Sequence, residues 1–275
     1  MARSLFNCFG KRSSSSSSKD DNPNHNTNIA TADLTAEESR RCGPVVVELF
    51  ASQGCATSPE AELFLSRIGR GDFNLEMPVV LLAYHVDYWD YMGWKDPFGS
   101  SLWTVKQKAY VESLNLDTMF TPQIVVQGRT QCVGNQLDAV LDCIKSAARF
   151  AAPSFQATFE RPTPESLQVS LLGSLKSKVD DNGANVMIAL YECGLVTDIT
   201  TGENKGKMLA NDYVVRKVEK LCSVKDITAK KTISGTVTFS LWDGFNSSKC
   251  GVALFVETGS HQICGSQNFK LPEKL

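Results

Sequence analysis

Cys55 and Ser58 sit three positions apart where an apolar strand gives way to a helix, and that spacing is where the chain can do chemistry. From Val45 to Phe64 the sequence reads as a β-branched strand, a Gly-containing turn, a cysteine, and a helix with Pro59 in its first turn. A helix N-terminus offers unpaired N–H groups and the positive end of a dipole, and both favour a thiolate over a thiol. A dithiol redox site would carry a second cysteine where Ser58 stands. The Ser58 hydroxyl can hydrogen-bond a Cys55 thiolate and hold its pKa down. It cannot resolve a mixed disulfide, a step that falls to an outside thiol. Glutathione-linked exchange, disulfide isomerisation or capture of a partner is therefore favoured over self-contained two-electron reduction. Against this stands a structural reading, in which Cys55 is a small residue tucked against a sheet. Both stay open from the residues alone.

Two further stretches converge on the same end of the chain's strands. Thr121-Pro122 immediately precedes a strand beginning at Gln123. A cis bond at Pro122 would present a backbone edge opposite Cys55, suited to an extended thiol-bearing substrate. The segment His85–Phe98 leaves the C-terminal end of the second strand, the edge where α/β sheets bind ligands. Its Asp87, Trp89 and Trp94 make a candidate recognition surface, and His85 a candidate base or cationic neighbour for the cysteine. The alternative is a long loop folded onto its own aromatics, with Asp87, Asp90 and Asp96 capping turns. Three acids without regular spacing give no metal site. A third stretch, Thr201–Arg216, has neither phosphate-loop spacing nor a following helix and reads as a hairpin connection.

The elements that must position these residues alternate from Val45 onward. Strands are expected at Val45–Ala51, Pro78–Tyr84, Gln123–Val126 and Thr130–Val133. Helices are expected at Pro59–Ile68, at Ser101–Ser113 (with Val105, Lys108, Val111 and Leu114 in helical spacing) and at Gln136–Phe150. The order is β-α-β-α-β-β-α, which makes the first two strands parallel and the last two a hairpin. A cysteine after strand one with Thr-Pro before strand three, in this order, is the thioredoxin-like arrangement. Past Ala151-Ala152-Pro153 the pattern switches to period two, in Phe155–Phe159, Leu167–Leu171, Val186–Tyr191, Thr236–Leu241 and Val252–Val256, with turns at Asp181-Asn182-Gly183 and Asp243-Gly244. This half reads as an antiparallel β-sandwich. The expected organisation is a disordered Ser-rich leader over residues 1–40, a thioredoxin-like domain over 41–152 and a β-rich domain over 153–275.

Composition excludes several classes. The 275 residues are 42% hydrophobic and 21% charged, ordinary for a globular chain. A net charge of -2 gives no reason to expect nucleic acid or an anionic membrane as partner. No apolar run is long enough to span a bilayer. Nine cysteines without a C-x-x-C pair or zinc spacing fit a reducing compartment better than a disulfide-stapled domain. The leader carries a serine tract at Ser13–Ser18 and lacks an apolar signal core, so the cytoplasm is expected, with a plastid as the alternative. Cys8, among Phe6, Phe9, Lys11 and Arg12, fits an acylation site only weakly.

Four segments together carry a resemblance: Glu48–Cys55, His85–Phe98, Phe120-Thr-Pro-Gln123, and Gly202–Lys207 with Val214-Val-Arg216. Over roughly residues 44 to 270 the chain resembles a thioredoxin-like family of uncharacterised function with bacterial secreted and plant members. By position, the resemblance places the family's first cysteine on Cys55, its second on Ser58, and its cis-proline on Pro122. The chain departs from the family's C-x-x-C at Ser58. That departure tells against dithiol oxidoreductase activity, and the residues themselves lead to the expectation of a monothiol redox protein with Cys55 as nucleophile and Ser58 beside it. Thr121, Pro122, His85, Asp87, Trp89 and Trp94 would bind the substrate, a thiol-bearing protein or glutathione. No metal or resident cofactor is expected, glutathione serving as co-substrate. The competing expectation is a non-catalytic thioredoxin-fold module that binds a protein.

Overall fold

The computed structural model describes residues 42–176, 183–225 and 232–275. The leader, with its serine tract and Cys8, and most of the turn expected at Asp181-Asn182-Gly183 lie outside the described residues.

Strand β1 (Val45–Ala51) is buried along its whole length, as its apolar run requires. It pairs in parallel with β2 (Val79–His85), from Val45 opposite Val79 to Ala51 opposite His85. On its other side it pairs antiparallel with β3 (Gln123–Val126), which turns back into β4 (Thr130–Val133). Helices α1 (Ser58–Arg70), α2 (Ser101–Ser113) and α3 (Leu137–Lys145) complete the order β-α-β-α-β-β-α. Alternate residues of β1 serve two cores, because successive strand side chains point to opposite faces. Val45, Val47 and Leu49 pack with Ala61 and Leu65 of α1 and Val140 and Ile144 of α3. Val46 and Phe50 pack with Tyr84 and with Trp103 and Tyr110 of α2.

Glu48 shares the α2 face and is fully buried. Its carboxylate accepts from the Tyr110 hydroxyl and lies 3.1 Å from Lys106 Nζ. The same ammonium is 3.5 Å from Glu257 and stands over the rings of Tyr84, Tyr110 and Phe255. Burial works against charge on Lys106, but the two carboxylates outweigh it and raise its pKa. The inward face of α2 therefore differs from the expected one. Val105 is 63% exposed, and Trp103, Lys106, Gln107 and Tyr110 face in because the sheet offers them partners.

Part of the rest of the chain joins this sheet and part forms smaller sheets of its own. Strands β5 (Ser154–Thr163), β6 (Ser166–Ser174) and β11 (Thr232–Ser240) make a three-stranded sheet. It packs through Leu167, Val169 and Phe239 onto Val186, Ile188, Val252 and Leu254 of β7 (Ala184–Glu192) and β12 (Cys250–Thr258). That is the expected sandwich, but one of its layers is continuous with β1 and β2. The large sheet runs β13 (Ile263–Lys270), β12, β7, β10 (Val214–Val224), β2, β1, β3, β4. The seam is parallel, with Val214 opposite Ala83 and the Ala83 amide donating to the Tyr213 carbonyl at 2.8 Å. The large sheet thus runs across the boundary expected at residue 152, one core (Leu167, Val169, Val186, Phe239) being drawn from residues after it, and the described residues from Cys42 onward fall in one compact unit. A small hairpin of β8 (Leu195–Asp198) and β9 (Met208–Asn211) lies before β10.

Helix α3 ends at Lys145, five residues before the expected end. Downstream carbonyls are claimed by tertiary partners: Gln127 Nε2 donates to Ala148 O at 3.1 Å and the Gly43 amide to Phe150 O at 2.6 Å. The Ser146 hydroxyl bonds back to Asp142 O, closing the last turn.

Candidate functional site

The turn from β1 to α1 is held by its own side chains. Ser52 O accepts from the Cys55 amide at 3.1 Å, and Ser52 Oγ from the Gly54 amide at 3.1 Å. Ser58 Oγ accepts from the Ser52 amide at 3.2 Å, which leaves its proton free to donate to sulfur. Around Cys55 Sγ stand Thr57 Oγ1 at 3.4 Å and the Thr121 carbonyl at 3.7 Å. The Thr121–Pro122 peptide is cis. Cys55 is 3% exposed, and the two residues after it, Ala56 and Thr57, are exposed. Burial pushes its pKa up, but hydrogen bonds from the Ser58, Thr121 and Thr57 side chains and the Thr57 amide outweigh it, and the thiol is more acidic than an ordinary cysteine. The structure thus brings Cys55, Ser58, Thr121 and Pro122 together.

His85 does not join them. Its Nδ1 is 2.8 Å from Asp96 and its Nε2 is 3.2 Å from Glu62 of α1, the latter out of line for a hydrogen bond. All three side chains are buried. Burial disfavours the imidazolium, yet Asp96 first and Glu62 second outweigh it and raise the His85 pKa to about 10. Of the two roles expected for His85, base or cationic neighbour, a charged imidazole held between two carboxylates fits only a cation, one turned to Asp96 and Glu62. Asp96 answers with a lowered pKa: burial raises it, but His85 and the amides of Gln53 and Phe98 prevail. Its Oδ2 accepts from the Gln53 amide at 2.7 Å, so the His85 cluster braces the residue two places before Cys55.

The rest of the loop is likewise spent on structure. Asp87 accepts from the Thr104 hydroxyl at 2.6 Å, and Asp90 from the Asp96 amide at 3.1 Å. Trp94 Nε1 donates to Gln53 Oε1 at 3.2 Å. Trp89 lies against Gly54, where an added Cβ would come within 3.1 Å of the Trp89 Cβ and 3.2 Å of its carbonyl. Of the loop residues expected to face a substrate, Trp89 and Trp94 pack on the cysteine turn itself, while Asp87 holds α2. Among the described residues no cluster of acidic, histidine and cysteine side chains has the geometry of a metal site.

Several participants escaped the sequence reading. Gln53 Nε2 donates to Asn211 and Thr197. Asn204, at the tip of the β8–β9 hairpin and fully buried, donates to the carbonyls of Gln53 and Cys55 at 2.8 and 2.9 Å. The expected hairpin is there, but its tip reaches the cysteine turn. Tyr88 and Gln107 stand on the α2 side, where Gln107 Nε2 donates to Phe120 O at 2.7 Å and to Gln123 Oε1 at 2.9 Å. Glu62 and Gln107 did leave a signal: each is a polar residue at helical spacing among buried ones, beside Ala61 and Leu65 or between Trp103 and Tyr110.

No disulfide joins any of the eight described cysteines. Cys132 and Cys143 contact each other, burial and that mutual contact pushing Cys132 up to about 12. The side chains that hydrogen-bond the Cys55 sulfur are Ser58, Thr121 and Thr57, with no thiol among them.

Comparison with known proteins fits this description. No curated protein matches the chain. A solved structure of protein AGR_C_4864 from Agrobacterium tumefaciens is 24% identical over 84% of this chain and 96% of its own, with a TM-score of 0.58. HBP35 of Porphyromonas gingivalis is 13% identical over 84% of this chain and 76% of its own, with a TM-score of 0.59. At these identities the likeness is one of fold. The sequence profile of one family, described as "Protein of unknown function (DUF1223)", matches residues 46–257, and the chain belongs to that family.

Proposed function

We propose that the chain is a thioredoxin-like monothiol redox protein that performs thiol–disulfide exchange through Cys55, with glutathione as co-substrate. The element order supports this, as does a four-strand edge of β2-β1-β3-β4 with β1 and β2 parallel and β3 reversed. The observation that carries the reading is the ring of donors at the sulfur. Ser58, Thr57 and Thr121 overcome the effect of burial and favour the thiolate, the form that attacks a disulfide. Cys55 is the nucleophile, Ser58 stabilises it, and Thr121 with Pro122 forms the edge along which a substrate chain lies. With Ser58 in place of a resolving cysteine, a glutathione thiol releases the mixed disulfide. Nine cysteines with no C-x-x-C pair fit a reducing compartment, and the cytoplasm is the one proposed.

The test is the rate of Cys55 alkylation against pH, read by mass on the Cys55 peptide. The expected midpoint lies below that of a free cysteine, about 8.5. Ser58→Ala should raise it by about one unit, the size of one hydrogen bond to a charged group. A wild-type midpoint at or above 8.5 contradicts the reading.

A second reading, a non-catalytic module that holds a protein, is favoured by one feature. Tyr91 is 80% exposed and Met208 74% exposed, and a groove of about 280 Å³ between α1 and β9 includes Leu63 and Met208. A Cys55→Ser variant that keeps every binding partner of the wild type would favour it.

A further inference from the structure

A cavity of about 530 Å³ lies between the start of α2 and β10, and none of its lining residues hydrogen-bonds the Cys55 sulfur. Arg216, which the cysteine site leaves without a role, is one of its walls. A register shift between Val215 and Lys217 leaves Arg216 without a partner on β7, and such a bulge re-aims a side chain. The guanidinium lies 4.2 Å from the centre of the Trp242 ring and 5.4 Å from that of Phe98, both also walls of the cavity. The buried Glu192 fixes this arrangement, its carboxylate accepting from Arg216 Nη1 at 2.9 Å and from the Trp242 indole. Arg216 Nε and Nη2, the edge of the fork that can hold two oxygens at once, make no hydrogen bond among the described residues. A guanidinium already oriented by a carboxylate and an aromatic face loses little freedom on binding a second oxygen pair. The remaining walls set the rest of the ligand. Trp103 and Val215 are buried and apolar, Leu102 is 68% exposed at the mouth, and Lys217 adds a second cation. The first turn of α2 carries no acidic residue to oppose an anion.

We propose that this cavity binds a small monocarboxylate with an apolar, ring-bearing body, its carboxylate on Nε and Nη2 of Arg216 and its ring against Trp103 and Val215. Arg216 and Lys217 stand against Glu192 and Glu219, two cations to two carboxylates, so the site is neutral before a ligand enters. One negative charge is then held by direct charge-assisted hydrogen bonds. A phosphate would bring a second charge within the field of Glu192 and Glu219, which repel it. The volume of about 530 Å³ falls within the range of ordinary small-molecule sites, roughly 300 to 1,000 Å³. Glu192 is a positioning residue, since it acts through Arg216 and Trp242. The site is independent of the chemistry proposed at Cys55, so either reading can fail alone.

The experiment titrates 2-naphthoate, 2-naphthamide and 2-naphthyl phosphate separately into the full chain, reduced, at pH 7, and follows each ligand by saturation-transfer NMR. The three share one ring system and differ in charge. 2-Naphthoate should bind with a Kd at or below about 1 mM, the affinity expected of so small a ligand. The amide and the phosphate should each bind at least about tenfold more weakly. Arg216→Gln should abolish the preference for the carboxylate over the amide. Leu102→Glu puts a charge at the mouth, at an exposed position in the first turn of a helix where an acid leaves the fold undisturbed. It should weaken 2-naphthoate by about tenfold and leave the amide unchanged. Should Arg216→Gln fail to fold, Leu102→Glu decides. Equal binding of carboxylate and amide, or carboxylate binding untouched by Leu102→Glu, overturns the proposal. Tighter binding of the phosphate overturns the assignment to a monocarboxylate. No signal from 2-naphthoate up to about 10 mM overturns it outright.

Discussion

At the scale of single residues, the unusual group is His85. An imidazolium sealed between Asp96 and Glu62 makes the cysteine turn depend on pH. His85 has an ordinary value of 6.5 and a folded value of about 10, so its contribution to stability is present in full below 6.5 and is lost as pH rises through 10. Asp96 works at the other end: its folded pKa lies below 3.8, so its contribution holds above that value and fades as pH falls through the folded pKa. Urea midpoints measured from pH 6 to 10.5 should fall toward the alkaline end. A His85→Gln variant should be less stable at pH 6 and nearly flat over the same range; an equally steep wild-type slope in that variant would refute this account. Residue types alone placed His85 near the right strand end. They could not say which way its ring faces, because Glu62 is twenty-three positions upstream and meets it only through the packing of α1 on the sheet.

At the scale of elements, the β8–β9 hairpin has the clearest task. Its tip residue Asn204 pairs two buried carbonyls of the cysteine turn and is itself gripped by Lys207 at 2.9 Å. Asn204→Ala should cost about 1 to 3 kcal/mol, because carbonyls buried by the fold would lose their donors. It should also speed alkylation of Cys55, as the turn loosens. A loss of stability without any change in Cys55 reactivity would separate the hairpin from the site. Most element positions were legible: β1, α2, β3 and β4 fall where hydrophobic period and turn chemistry put them. The face of α2 was not, since Lys106 and Gln107 read as surface residues until Glu48 and Gln123 are seen opposite them. Strands β10 and β13 carry too many charged and polar residues for period two to stand out, and their ladders with β7 and β12 supply what their composition does not.

At the scale of the whole molecule, a sheet of eight strands crosses the point where composition changes. The β2–β10 seam cannot be read from either half, since it joins a central strand to one more than a hundred residues away. Lys106 reinforces it by lying between Glu48 of β1 and Glu257 of β12. Unfolding of the described region should accordingly be a single transition. Tryptophan fluorescence, reporting Trp103 in one half and Trp242 in the other, should coincide with far-ultraviolet circular dichroism in denaturant. Two resolved transitions would mean that the halves are separable after all.

Gly54 sets a tolerance on the whole site. The backbone of Trp89 approaches the cysteine turn so closely that one methyl group at position 54 would force it back by a few tenths of an ångström. Trp89 lies against Tyr88 and Tyr88 near the sulfur, so that displacement would disturb the rings beside Cys55 without altering any group that reacts. The reactivity of the thiol is then tied to a clearance set by the single side chain the turn omits, and Gly54→Ala is the substitution by which the backbone alone would change it.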